Sequence, residues 1–155
     1  MRILFAAALL VLSACGSPEP TSNNQAPGAV ADAPDPAAVQ AAIASLPAPY
    51  NEADYEAGRR VFAQCRSCHV IQAGAPHRVG PNLHGVFGRE IGTVEGFTYS
   101  QAVRDADFVW DADQLDHWLQ NPQTFLPGNR MAFAGVRNET QRRDLIAYLM
   151  VEAAD

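Results

Sequence analysis

Lysine is missing from this chain; its 11 basic side chains are all arginine, set against 17 acidic ones for a formal charge of −6. An acidic balance of this size argues against nucleic acid as a partner, because phosphate binding needs a basic face. Cysteine is almost as scarce, with three copies in 155 residues. One stands at Cys15 and the other two, Cys65 and Cys68, form an isolated pair, so there is no disulfide framework and no second cysteine pair to complete a structural zinc site. Alternating strand-like patterning and internal repeats are absent, which removes sandwiches, barrels and solenoids. No apolar run is long enough to cross a bilayer: the best, from Ile3 to Leu12, is too short for a spanning helix.

What that run does resemble is a targeting signal. Arg2 precedes it, and Leu12-Ser13-Ala14-Cys15 resembles the lipobox at which bacterial lipoprotein signals are cut before a cysteine that takes lipid. The bland alternative is an ordinary export signal with a chance cysteine. The next stretch, "GSPEPTSNNQAPGAVADAPDPAAVQAAIASLPAP", has few large apolar side chains and is expected to be a flexible tether, with "PAAVQAAIASL" at most a marginal helix. The expected organisation is therefore a signal peptide over 1–14, a lipidated Cys15 and tether over 15–49, and one folded domain over 50–155.

Within that domain residues 65–69 read "CRSCH". A thioredoxin-like redox pair would need surrounding strands, and a zinc site would need two more ligands. Attachment of a c-type haem needs this spacing: residues i and i+3 of a helical turn share a face, so the Cys65 and Cys68 thiols reach one porphyrin edge and His69 follows under the iron.

The surroundings are helical. "NEADYEAGRRVFAQC" offers Asn51 as an N-cap with acidic residues in the first turn, and "NETQRRDLIAYLMVEA" offers Asn138 with Gln141 three residues on. A third helix is expected from Asp111, carrying Leu115, Trp118 and Leu119 until Pro122 stops it. The fold class is thus all-α, a few helices with long loops wrapped around one cofactor. Candidates for a second iron ligand are Met131, Met150, His77, His84 and His117. Met131 is favoured, because Pro127 and Gly128 break its stretch into a loop able to lay a thioether on the metal. His/Met ligation raises a haem potential and leaves no open position, which favours electron transfer over catalysis.

With "VGPNLHGVFGR", "GFTYS", "NPQTFLPGNRMAFAG" and "RRDLIAYL" in order around CRSCH, residues 51 to 152 resemble class I cytochrome c, in the mitochondrial cytochrome c and bacterial cytochrome c2 branch. The resemblance implies thioethers at Cys65 and Cys68, axial ligands His69 and Met131, and a Pro81 carbonyl that accepts the His69 ring N–H. It implies that Arg89, Tyr99 and Trp110 serve the haem propionates, and that Asn129 stands beside the methionine where the family usually has threonine. His77 matches a histidine tying two loops together, and Gly58 and Phe62 match positions that meet Leu145 and Tyr148 where the terminal helices cross. Trp118 replaces a common tyrosine, Val103 an asparagine, and Gln64, Gln123 and Thr124 stand in the usual lysine ring, with Arg66, Arg130 and Arg137 still positive. Steering toward acidic partners is accordingly expected to be weak.

These features together imply a membrane-anchored, monomeric, monohaem electron carrier on the periplasmic side of a bacterial envelope. Its expected partners are a bc-type quinol-oxidising complex and a haem-copper terminal oxidase or other periplasmic acceptor, and it is not expected to be an enzyme. The competing readings are a haem peroxidase or gas sensor with an open distal site, and a dedicated electron-transfer subunit of a periplasmic oxidoreductase.

Overall fold

Leu145, Ile146 and Ala147 have no solvent exposure, and most of the other described helices pack against the helix that carries them. The computed structural model describes residues 34–154. The expected signal segment, Cys15 and the first part of the expected tether lie outside the described residues. In chain order the helices are α1 (Pro36–Ala44), α2 (Tyr55–Phe62), α3 (Gln101–Arg104), α4 (Ala112–Gln120), α5 (Pro122–Phe125) and α6 (Glu139–Glu152), with a 3-10 turn at Tyr50–Glu52. Among the described residues there is no strand, only an isolated antiparallel bridge between Glu90 and Val109, so the class is all-α as expected.

Helix α6 starts where the sequence places it. Asn138 caps it, its side chain accepting a hydrogen bond from the Gln141 N–H at 2.9 Å. Helix α2 crosses α6 closely because Gly58 sits at the contact: a Cβ there would lie 2.1 Å from the Asp144 carbonyl oxygen and 2.7 Å from Tyr148 Cβ. Only the missing side chain lets the backbones approach this far. Tyr148 then stacks against Tyr55 and Phe62, with ring centroids 5.2 and 5.3 Å away.

The N-cap of α2 is Asp54, not the expected Asn51. The Asp54 side chain accepts from the Ala57 N–H at 2.9 Å, and its own N–H donates to the buried Asp144 carboxylate at 3.1 Å. Asn51 lies one turn earlier in the 3-10 segment. Both residues have capping chemistry; the tertiary bond to Asp144 separates them.

Helix α4 is capped by Asp111, which accepts from the Gln114 N–H at 2.7 Å, and buries Leu115 and Leu119. Pro122 does more than stop it. Standing at the first position of α5, where a proline lacks no needed hydrogen bond, it starts a new turn capped by Asn121. Arg142 of α6, 5% exposed, joins α4 to α6. Its Nε and Nη2 donate to the two Asp116 oxygens at 2.8 and 3.1 Å, and its Nη1 to the Val136 and Arg137 carbonyls.

The folded unit begins before residue 50, which corrects the tether boundary. Residues 36–44 form α1, with Pro36 at the first helical position and Asp35 accepting from the Ala37 N–H at 3.0 Å. Ile43 is 2% exposed and belongs to the core, with Val39 and Leu46 packed against it. Those three residues stand at i, i+4 and i+7, one helical stripe. An alanine-rich segment this short is marginal alone; the surface of α6 and the 3-10 turn gives it something to bury against.

Candidate functional site

The turn that follows α2 carries the cysteine pair. Cys65 N–H bonds to the Phe62 carbonyl at 2.8 Å, and the N–H groups of Cys68 and His69 both reach the Cys65 carbonyl, at 3.0 and 2.9 Å. This continued helical winding sets the two thiols on one side of the chain. Both are unpaired and half-buried, and burial, with a smaller contribution from Cys68, pushes the Cys65 thiol up to about 11.

His69 is oriented through its far nitrogen. Its Nδ1–H donates to the Pro81 carbonyl oxygen at 2.8 Å, since a carbonyl can only accept, and this leaves the Nε2 lone pair directed away. Burial lowers the histidine pKa, against an opposing effect of the Pro81 bond, so the ring is neutral, the form that binds a metal. Gly80 makes the seat. A Cβ on it would fall 2.3 Å from the His69 Cε1, and its N–H is held by the Cys68 carbonyl at 2.8 Å.

Asn129 organises the methionine loop. Buried, it donates through Nδ2 to the Pro122 and Leu126 carbonyls, both at 2.8 Å, and accepts through Oδ1 from the Met131 N–H at 2.8 Å. Gln123 adds a bond to the Met131 carbonyl at 2.9 Å. The Met131 backbone is thus held on both sides while its side chain stays half-buried. Met150, on α6, instead faces a depression lined by Gly85, Phe87 and Ala153.

The three residues matched to the propionates are brought near one another. Arg89 donates to the His84 carbonyl at 2.8 Å, and its backbone carbonyl accepts from the Trp110 N–H at 2.9 Å. Burial raises the Tyr99 phenol, and the charge of Arg89 works against that rise. Trp110 sits in an aromatic group with Phe108 and Trp118, at 4.8 and 5.4 Å. His77 does tie two loops together: Nε2–H donates to the Glu95 carbonyl at 2.8 Å, and Nδ1 accepts from the Asn82 N–H at 3.1 Å. His117 is exposed on α4.

Sequence reasoning missed Asn82 and Gly80, and placed Gln123 only in the ring around the exposed edge rather than on the Met131 carbonyl. Asn82 is buried and donates to the Gln72 and Ala75 carbonyls at 2.8 and 2.9 Å, closing the loop that carries Pro81. Its signal was its place between Pro81 and Leu83, a polar residue in a short apolar run.

Two unpaired thiols on one turn, a neutral imidazole oriented by a carbonyl on Nδ1 with Nε2 left free, and a clamped methionine loop form a donor set suited to haem c. The comparisons agree. The chain is 41% identical over 106 residues to cytochrome c of Kluyveromyces lactis, spanning 68% of this chain and 96% of that protein. The chain belongs to the class I cytochrome c family. Cytochrome c2 of Blastochloris viridis is 42% identical over 113 residues, 73% of this chain and 89% of its own. Cytochrome c 2.1 of Caenorhabditis elegans is 46% identical over 102 residues, 65% and 91% of the two chains. No family model matches. As a cytochrome c, the protein carries one covalent haem c and belongs with single-electron carriers.

Proposed function

We propose that this cytochrome c is a membrane-anchored shuttle on the periplasmic side. It takes electrons from a bc-type quinol-oxidising complex and passes them to a haem-copper oxidase or another periplasmic acceptor. In this reading Cys65 and Cys68 would hold the haem through thioethers, and His69 Nε2 and Met131 Sδ would bind its iron. When bound, haem c supplies a one-electron couple. The chain's own part is to orient and to exclude: Pro81 and Gly80 hold the His69 ring, Asn129 and Gln123 hold the Met131 backbone, and Arg89, Tyr99 and Trp110 attend the propionates.

The observation that carries the reading is the pairing of a carbonyl-oriented His69 with a rigidly bonded Met131 loop. Two protein donors leave no position for oxygen or peroxide. Anchoring rests on the lipobox at Cys15, and the lysine-free sequence supports it, since confinement with a partner in one membrane raises effective concentration and lessens the need for steering.

The test is the visible spectrum of the oxidised and reduced holoprotein, with a check that haem stays on the denatured chain. A low-spin spectrum with a weak sulfur-to-iron band, lost in Met131→Ala, is expected. A high-spin spectrum or ready binding of carbon monoxide overturns the ligand assignment in favour of an open site. For the anchor, Cys15→Ser is expected to release the protein from membranes and slow turnover with a membrane-bound oxidase.

A further inference from the structure

Tyr55 and Tyr148 stack on each other at the α2–α6 crossing, but their hydroxyls have different fates. The Tyr55 hydroxyl donates to Glu152 at 2.5 Å. The Tyr148 residue is 6% exposed, and its hydroxyl, which makes no hydrogen bond with any described residue, is not itself buried. It lines a depression of about 290 Å³ together with Arg59, Arg60, Phe62, Ala63 and Arg66.

In a chain of charge −6 with only arginine for cations, three arginines border this one depression. Arg59 is occupied by Glu56 at 2.7 Å. The guanidinium groups of Arg60 and Arg66 have no hydrogen-bonding or ion-pair partner among the described residues. The unused donors come from three segments: Arg60 on α2, Arg66 on the turn after it, and Tyr148 on α6. Phe62 and the Tyr148 ring supply an apolar floor.

We infer that this depression is a binding site for a phosphate group, bordering the turn that carries the cysteine pair but using none of the haem-ligating side chains. A phosphate presents acceptor oxygens in several directions and suits donors arriving from separate segments; a guanidinium can take two of those oxygens at once. A carboxylate accepts through two coplanar oxygens, whereas the tetrahedral oxygens of a phosphate face donors that converge from different directions and carry more charge. The volume suits a small ligand, at the low end of the usual range for pockets.

The experiment is calorimetric titration of the full-length holoprotein with inorganic phosphate at constant ionic strength, with acetate as the control anion. It is repeated with Tyr148→Phe, which keeps the stacked ring, and with the exposed pair Arg60→Gln/Arg66→Gln. Saturable phosphate binding is expected, weaker by roughly tenfold in Tyr148→Phe, the scale of one charge-assisted hydrogen bond, and lost in the double variant. A parallel assay uses vesicles of phosphatidylglycerol in phosphatidylcholine. Saturation by inorganic phosphate assigns a free phosphate. Binding seen only with vesicles, and lost in the double variant, assigns a lipid phosphodiester. Absence of both, or affinity equal in all three proteins, overturns the site.

Discussion

The side-chain oxygen of Asn129 accepts a hydrogen bond from the backbone N–H of Met131 at 2.8 Å, and the Asn129 amide nitrogen returns two bonds to Pro122 and Leu126. One buried side chain therefore ties the backbone of the proposed ligand to the preceding Pro122–Leu126 segment. Asn129→Ala strands several of these groups at once, with an expected loss of about 2–3 kcal/mol in denaturant unfolding. The sulfur-to-iron band of the variant should also vanish at a lower temperature than in the parent, well before global unfolding. Coincident loss in both proteins would assign Asn129 to general stability alone.

Gly80→Ala should act on His69 without touching its chemistry. The new methyl would meet the imidazole at 2.3 Å, so either the ring or the Pro81 loop must move. Overpacking of this kind costs about 1–3 kcal/mol. The expected readout is a reduced yield of covalent haem per chain and a partly high-spin spectrum. A normal low-spin spectrum at full yield would show that the seat is more compliant than its geometry implies.

Ile43 tests where the folded unit begins. As a core residue of α1, its replacement by alanine should cost about 2–4 kcal/mol in urea unfolding. A residue in a free tether would cost nothing measurable.

The Tyr55 phenol is raised well above its ordinary value of 10.0, first by burial and then by its hydrogen bond to Glu152. The folded state therefore holds this proton more tightly than the unfolded chain does. Its contribution to stability is fully present below pH 10 and is lost as pH climbs above that value through the raised pKa. Tyr55→Phe should be less stable at neutral pH and should lose stability less steeply above pH 10. Parallel pH profiles for the two proteins would contradict the linkage.

Much of the site was legible in the residues themselves because its determinants are local. The CxxCH spacing depends on one helical turn, the caps at Asp111 and Asn138 on three-residue contacts, and the Met131 loop on Pro127 and Gly128 beside it. Motif order around them carried the family. Beyond the loop residues Asn82 and Gly80, three features escaped that reading, and each depends on groups far apart in the chain. Asp54 was chosen over Asn51 as a cap because Asp144, ninety residues away, accepts its N–H. Helix α1 exists because α6 offers a surface to a segment whose composition alone favours a coil. Tyr148 was left with an unused hydroxyl, while Tyr55 beside it found Glu152, because the crossing allowed by Gly58 decides which ring meets which partner. Sequence determined the chemistry that short-range geometry can assemble; the fold alone decided which partner each polar group met, since burial and long-range pairing arise only when the helices pack.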